Sequence, residues 1–182
     1  IPASLSPEMQ PRWREVAERA WKIDDENYYE MLGIDRDATS NGIRDAYFAL
    51  AKRWHPDRLP AELEQLKPWA DRIFHHYTQA HETLTDETKR GKYLSVVQDG
   101  GGTPAADRKV SAIINAAMAF QKVEVLVRRR DYTEATRLLE EAISLNPEEA
   151  DYYAMRALLE LQSQASPDLK SVLAAVERAL AM

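Results

Sequence analysis

The chain has 182 residues, 45% hydrophobic and 30% charged, which is enough to bury the core of one large domain or two small ones. It has no cysteine, which excludes disulfide bonds, thiolate catalysis and cysteine-ligated zinc. A net charge of −6 argues against general phosphate-backbone binding. No unbroken run reaches the roughly 18 apolar residues of a membrane helix, and the start does not resemble a signal peptide. We therefore expect a cytoplasmic protein that binds neither nucleic acid nor membrane. Because the chain does not begin with Met, it reads as a piece of a longer protein or a processed form.

Helices are predicted nearly throughout, because apolar residues recur at helical spacing and no alternating strand pattern with hairpin turns is visible. The first helix is expected to begin with Ser6 as N-cap and Pro7 at the first helical position, and to end near Asp24. Trp13 and Trp21 lie on its apolar face. We expect them to pack this helix onto the rest of the chain, with a binding face for another domain as the alternative.

A short helix is predicted for residues 27–32, with Gly33 at its end. A longer helix follows from the Thr39 cap. It must end by His55, because Pro56 disfavours the helical conformation in the residue before it.

After a loop, the next helix is predicted to begin around Ala61 or after Pro68 and to run to Leu84. Its buried positions are expected at Ile73, Tyr77, Ala80 and Leu84. A short basic helix, capped by Thr85, should then cover residues 87–98.

The clearest boundary is Asp-Gly-Gly-Gly-Thr-Pro at residues 99–104, because three glycines and a proline are costly inside a helix. Four further helices are predicted beyond it, at residues 105–129, 132–145, 148–163 and 167–181. The predicted organisation is a leading amphipathic helix, a first domain, a glycine-rich linker and a second helical domain, at residues 1–25, 26–98, 99–104 and 105–182.

Three segments of the first half carry a family resemblance. They are Asn-Tyr-Tyr-Glu-Met-Leu-Gly-Ile at residues 27–34, Leu-Ala-Lys-Arg-Trp-His-Pro-Asp-Arg at residues 50–58, and the later matches Ile73-Phe74, Leu84-Thr85-Asp86, Lys89-Arg90 and Tyr93. A bare His-Pro-Asp tripeptide occurs by chance, but between two amphipathic helices and behind the first segment it is highly specific. Residues 27–93 therefore resemble a J-domain of the DnaJ type, which implies an antiparallel helix hairpin with an exposed loop at its tip.

The resemblance implies a co-chaperone that docks on an ATP-bound DnaK-type chaperone and stimulates the chaperone's ATP hydrolysis, making and breaking no bonds itself. It implies that the trigger is His55-Pro56-Asp57, that Arg44, Lys52, Arg53 and Arg58 are basic contacts, and that Phe74 is a contact of the following helix. Side-chain chemistry suits these roles. The ring of proline stiffens a loop and lowers the entropy lost on docking, a carboxylate pairs with basic groups, and an imidazole donates and accepts hydrogen bonds.

The sequence departs from the family pattern at several positions. Phe48 and Ala49 stand where lysine or arginine is usual, Leu59 where a polar residue is common, and His81 where tyrosine is usual. Because fewer positive charges weaken electrostatic steering, we expect a low affinity or a dedicated DnaK paralogue as partner.

The second half, from about residue 116 to residue 181, weakly resembles tetratricopeptide repeats, through Asp131-Tyr-Thr-Glu-Ala135 and Leu145-Asn-Pro147. The repeat's usual small residue and turn glycine are here Val123 and Arg130. A period of roughly 34 residues requires a small insertion near residues 163–167. The resemblance implies a groove that binds a peptide, a client or a partner helix.

Other kinds of site are not expected. His75, His76 and His81 lack the spacing of metal ligands, so we predict no metal and no cofactor. No phosphate-cradling glycine loop and no nucleophile–base pair is visible, so we predict no catalytic residues and no intrinsic enzyme activity. The alternative function is a non-chaperone interaction adaptor or signalling scaffold with a degenerate J-like hairpin.

Overall fold

The computed structural model describes residue 2, residues 5–163 and residues 167–182, and the regular structure of these residues is entirely helical. The all-α prediction is therefore confirmed. The chain divides into two compact units, Ile1–Asp107 and Arg108–Met182. The α-helices of the described residues are α1 (Gln10–Lys22), α2 (Tyr28–Leu32), α3 (Ser40–Trp54), α4 (Lys67–Thr85), α5 (Glu87–Gln98), α6 (Pro104–Arg128), α7 (Tyr132–Leu145), α8 (Ala150–Ser163) and α9 (Leu169–Leu180).

The first helix begins later than predicted. The Met9 amide donates to the Ser6 carbonyl oxygen at 3.1 Å, so these residues form a turn rather than the first helical turn. Pro11 takes the place in the first turn of α1 that was expected for Pro7. The prediction of a Ser6 cap was therefore wrong, because a second proline four residues on is the one that lies inside the helix start.

The ends of α2 follow the sequence prediction. Asn27 accepts hydrogen bonds from the Tyr29 and Glu30 amides at 3.0 and 3.2 Å, and the Glu30 carboxylate accepts from the Asn27 amide at 2.8 Å. This reciprocal pair is a capping box. At the other end, Gly33 adopts a φ of 65°, and the Ile34 amide bonds back to the Tyr29 carbonyl oxygen. Only glycine adopts this left-handed conformation without a steric cost.

Helices α3 and α4 form the predicted antiparallel hairpin. The Tyr47 ring stacks on His81 at 4.3 Å, while His55 at the end of α3 meets Phe74 in the first half of α4 at 5.1 Å. Thr39 caps α3 as predicted, with its hydroxyl 3.2 Å from the Gly42 amide. Two short 3₁₀ turns connect the helices, Pro56–Arg58 and Ala61–Leu66.

Helix α4 begins at Lys67, between the two predicted starts around Ala61 and after Pro68, and Pro68 lies in its first turn. The predicted buried residues of this helix are all buried: Ile73, Tyr77, Ala80 and Leu84. Its junction with α5 corrects one prediction. Asp86, not Thr85, caps α5, because Asp86 accepts from the Lys89 amide at 2.9 Å while the Thr85 hydroxyl bonds back to the His81 carbonyl oxygen.

Helix α1 lies along α4 and contributes to the same core. The Arg19 guanidinium donates to the Tyr77 hydroxyl at 2.6 Å and to Glu26 at 2.7 Å, and Arg72 donates to the Ala20 carbonyl oxygen. The buried core of this unit combines residues of α1 to α4 and of the segments beside them: Leu5, Val16, Ala20, Ile23, Tyr29, Met31, Leu32, Ile43, Trp54, Leu63, Leu66, Ile73, Tyr77, Ala80 and Leu84.

The glycine-rich segment after α5 is held by hydrogen bonds. The Tyr93 hydroxyl accepts from the Tyr28 amide at 2.8 Å and donates to the Gly102 carbonyl oxygen at 2.5 Å. Burial raises the pKa of the Tyr93 hydroxyl above its ordinary value of 10, so it stays protonated and keeps this donor. Gly100 and Gly102 both have positive φ, 84° and 83°. A Cβ on Gly102 would lie 2.8 Å from Val97, so the close approach also requires glycine.

The second unit contains a core built from α6, α7 and α8. Its buried residues are Ala116, Ala119, Val123, Ala135, Leu139, Ala142, Tyr152 and Leu159. The bounds agree with prediction within one or two residues, α8 starting at Ala150 rather than 148. Arg130, expected at the place of a turn glycine, indeed has a φ of 62°. The predicted insertion near residues 163–167 lies partly outside the described residues.

Helix α6 is long and apolar enough, by length and composition, to cross a membrane. It is the one such helix among the described residues, and only 17% of its apolar window is buried. The sequence criterion, which requires an unbroken apolar run, missed it because polar and charged residues interrupt the run: Ser111, Asn115, Gln121, Lys122 and Glu124. A single helix that passes this test is weak evidence, so this property alone assigns no membrane role.

Candidate partner-docking site

The His-Pro-Asp tripeptide lies at the exposed tip of the α3–α4 hairpin. The His55 backbone leaves the helical region at φ −60° and ψ 128°, as required before proline. Its Nδ1 accepts a hydrogen bond from the Asp57 amide at 3.2 Å, which fixes the imidazole and leaves Nε2 as a donor. The Asp57 side chain is 80% exposed, so its carboxylate is open to an approaching partner.

Phe74 supports the tip from the facing helix. Its ring meets the His55 imidazole edge-on at 5.1 Å and is itself half-buried. The two predicted site residues on different helices are therefore brought together. A depression of about 320 Å³ adjoins the tip and is lined by Pro56, Asp57, Leu59, Pro60, Ala61, Glu64 and Lys67.

The four predicted basic contacts differ in what their side chains touch. Arg44 donates to the Asn41 side chain at 2.8 Å, and Arg58 donates to the Lys52 carbonyl oxygen at 3.0 Å, where it caps the end of α3. Lys52 is exposed. Arg53 is bound to the carboxylate of Glu15 on α1. In the part of the chain that the structure describes, Arg53 is the only one of the four that pairs with an acid.

One large apolar side chain interrupts the basic face of α3. Arg44, Phe48 and Lys52 follow one another at four-residue intervals and so share one face of the helix. Phe48 is 59% exposed. The substitution noted from the sequence therefore replaces a charge by an aromatic ring on the surface, in the middle of this face.

Two residues of α1 that the sequence did not single out lie beside the tip. The Arg12 guanidinium donates to the Arg53 carbonyl oxygen at 2.9 Å and lies 4.8 Å from the centre of the Trp54 ring. Glu15 accepts from both Arg12 and Arg53. These partners are about 40 residues apart in the chain, so no local sequence pattern indicates the contact. Packing alone brings them together.

The prediction for the two tryptophans holds for one of them. Trp13 is half-buried and its ring lies 6.5 Å from that of Trp69. Trp21 is 81% exposed, so the prediction that it packs was wrong. It follows the buried Ala20 in α1, and consecutive side chains of a helix point in different directions, so Trp21 lies outside the buried face.

The three histidines of α4 have different surroundings. His75 is exposed, His81 stacks on Tyr47, and His76 lies 3.7 Å from the Asp24 carboxylate. Burial lowers the pKa of His76 below 6.5, against the opposing effect of Asp24. Within residues 2, 5–163 and 167–182, no group of three or more possible metal-ligating side chains is close enough to hold an ion.

Comparison with known proteins matches the same segment. The family model of the DnaJ domain matches residues 27–93. Mouse DnaJ homolog subfamily B member 3 is 43% identical over 82 residues, which cover 44% of this chain and 32% of the relative. Mouse DnaJ homolog subfamily B member 8 is 42% identical over 106 residues, 56% of this chain and 44% of the relative.

A bacterial relative shows a similar match. Chaperone protein DnaJ of Thermotoga maritima is 42% identical over 72 residues, covering 40% of this chain and 18% of the relative. The chain thus spans less than half the length of each of these three relatives. No solved structure matches it.

Proposed function

Since residues 27–93 are a DnaJ domain, we propose that this chain docks on a DnaK-type chaperone through the tip of the α3–α4 hairpin and stimulates its ATP hydrolysis. The chemistry of hydrolysis belongs to the partner, and the hairpin supplies binding energy that favours the partner's hydrolysing state. We further propose that the protein works in the cytoplasm.

The observation that carries this proposal is the exposure and fixation of the tip. The Asp57 carboxylate is 80% exposed, while the His55 imidazole is held by the Asp57 amide and by the Phe74 ring. A polar group that is already ordered loses little conformational entropy when a partner binds it. A tip with this geometry suits docking, because its groups reach solvent and need no rearrangement.

The residues around the tip take the following proposed roles. His55, Pro56 and Asp57 trigger the partner, and Phe74 supports His55. Arg44, Lys52, Arg53 and Arg58 supply positive charge for an acidic surface of the partner. Because Phe48 replaces a charge on this face, we propose modest electrostatic steering and a partner surface that accepts an aromatic ring there.

The second unit has a candidate surface for a client or partner helix. A groove of about 550 Å³ is lined mainly by apolar side chains of α6 and α7: Met118, Gln121, Lys122, Val125, Leu126, Glu134 and Leu138. We propose that this unit selects the client or the location, while the DnaJ domain acts on the chaperone.

Single-turnover ATP hydrolysis tests the main proposal. Each DnaK-type chaperone of the source organism is loaded with ATP and mixed with wild-type chain, with His55→Gln, or with His75→Gln as a control on an exposed histidine. We expect wild type and His75→Gln to accelerate hydrolysis equally by at least one chaperone, and His55→Gln to lose the acceleration. No acceleration by wild type, or equal acceleration by all three, would refute the proposal.

The alternative is an interaction adaptor that does not use the tip. It is favoured by the exposed Phe48 and by the apolar groove of the second unit. An adaptor would capture the same proteins from an extract whether or not His55 is replaced by Gln. Loss of a DnaK-type chaperone from the captured set of His55→Gln would exclude it as the sole function.

A further inference from the structure

Helix α1 holds the end of α3 immediately before the tip. The Arg12 guanidinium donates to the Arg53 carbonyl oxygen at 2.9 Å, one of the carbonyls left without a helical partner at the end of α3. The same guanidinium lies 4.8 Å from the centre of the buried Trp54 ring. The contact is therefore both a helix cap and a packed cation–π pair, and it places α1 within two residues of His55.

The next turn of α1 brings a carboxylate onto one of the four proposed docking cations. Arg53 donates to Glu15 Oε1 through Nε at 2.8 Å and also through a terminal nitrogen. The other oxygen of Glu15 accepts from Arg12 at 2.6 Å. Burial alone would raise the pKa of Glu15, but hydrogen bonds from Arg12 and Arg53 leave it below 4.5. The carboxylate is therefore ionised at neutral pH.

The pairing is selective. Lys52, the neighbour of Arg53, is exposed and meets no acid among the described residues, and Arg44 and Arg58 bond only to neutral oxygens. The Arg53 side chain is 64% exposed, so the pair lies at the surface, where solvent and salt screen it. Such a pair is weak enough for a partner's carboxylate to displace.

We propose that α1 attenuates docking: Glu15 masks Arg53, and a DnaK-type partner must replace that carboxylate before Arg53 contributes to binding. This inference rests on the proposed function. Masking removes one positive charge from the docking face, which lowers affinity for an acidic surface.

Titration of chaperone stimulation tests the attenuation. The concentration of chain that gives half-maximal stimulation is measured for wild type, Glu15→Gln and Glu18→Gln, the last being an exposed acid on the same helix. Glu15→Gln should lower this concentration about two- to five-fold, the size expected for one exposed ion pair. Glu18→Gln should leave it unchanged. In an Arg53→Ala background, Glu15→Gln should have no effect.

A second pair of variants covers the case in which Glu15→Gln disturbs α1. Because Arg53 is masked and Lys52 is not, Lys52→Ala should weaken stimulation more than Arg53→Ala does. The attenuation proposal is overturned if Glu15→Gln stimulates like Glu18→Gln or more weakly. It is also overturned if the effect of Glu15→Gln persists without Arg53, or if Arg53→Ala weakens stimulation at least as much as Lys52→Ala does.

The two proposals fail in different ways. If His55→Gln stimulates as well as wild type does, or wild type does not stimulate, the proposed function is wrong and the attenuation falls with it. If His55→Gln is inactive and wild type is active while the Glu15 results above are negative, only the attenuation is wrong.

Discussion

The two units end a helix in the same way but with different residues. After α2 the left-handed position is Gly33, and after α6 it is Arg130, with φ values of 65° and 62°. In both places, the amide of the left-handed residue and the amide of the residue after it donate to carbonyl oxygens of the last helical turn. The first unit uses the residue that suits this geometry, whereas the second holds a non-glycine residue there at a cost of about 1–2 kcal/mol.

The two units also differ in how their helices are joined and in what they expose to solvent. In the first unit, polar side chains tie distant helices together, as Arg19 ties α1 to Tyr77 of α4. In the second unit, Ala175 is the one buried residue of α9. Four apolar residues of this helix are exposed at helical spacing: Leu169, Leu173, Val176 and Leu180. The first unit thus combines polar contacts between distant helices with the larger buried core, whereas the second unit has a smaller core and leaves an apolar face of α9 exposed.

The largest effect should come from the core of the second unit. Leu139 is fully buried and Leu173 is 57% exposed. Leu139→Ala should lower the free energy of unfolding by about 2–5 kcal/mol, because it leaves a cavity. Leu173→Ala should change it by less than about 0.5 kcal/mol. Urea titration followed by circular dichroism measures both, and a large loss for Leu173→Ala would show that the face of α9 is not open.

A smaller effect is expected at the glycine-rich segment of the first unit. Gly102→Ala should cost about 1–3 kcal/mol, because its φ of 83° strains any other residue and the added Cβ would clash with Val97. Gly91→Ala is the control. It lies inside α5 with no atom near the added Cβ, so it should gain about 0.5–1 kcal/mol. Thermal unfolding that ranks the two variants the other way would contradict this account of the segment.

Arg130→Gly should make the end of α6 resemble that of α2 by removing backbone strain at the left-handed position. It removes the strain of a left-handed arginine but adds the backbone entropy of glycine in the unfolded chain, so the net gain should be about 0.5–1 kcal/mol. Arg129→Gly, next to it and without a positive φ, should give no gain. The unfolding midpoints of both variants are compared with wild type, and equal changes would argue against strain at Arg130.

The smallest effect concerns pH. Burial lowers the pKa of His76 below its ordinary 6.5, while Asp24 opposes the shift and His75 and Arg72 add to it. The unfolded chain therefore binds more protons, and stability that is present above pH 6.5 is lost as the pH falls through 6.5 towards the folded-state pKa. Unfolding from pH 7.5 to 5.5 should show this loss. The unfolding free energy of His76→Gln should depend less steeply on pH than that of the exposed control His75→Gln. Equal slopes would exclude His76 as the source of the pH dependence.

Much of the first unit could be predicted from sequence because its signals are local. The Thr39 cap, Gly33 and the break at Pro56 each act within a few residues, and the structure has all three where they were expected. The predicted caps at Ser6 and Thr85 were wrong because nearby residues take over the helix starts. Pro11 lies in the first turn of α1, and Asp86 caps α5. The choice between such neighbours depends on packing.

The surroundings of the candidate site were less predictable. The hairpin that places Phe74 against His55 follows from the apolar periodicity of the two helices. The contacts of α1 do not, because Arg12 and Glu15 reach residues about 40 positions away. The exposure of Trp21 also depends on how α1 is rotated on α4. Long-range side-chain pairs are set by tertiary packing, which a single sequence does not display.

The most direct measurement is amide NMR of the full chain, labelled with ¹⁵N, during addition of an ATP-loaded DnaK-type chaperone. Broadening should concentrate on residues 44–58 and around Phe74, and His55→Gln should reduce it. The residues of α7–α9 should be unaffected in the absence of a client. Broadening confined to residues 108–182, with the tip unperturbed, would contradict the claim that the exposed His-Pro-Asp tip is the surface the chaperone binds.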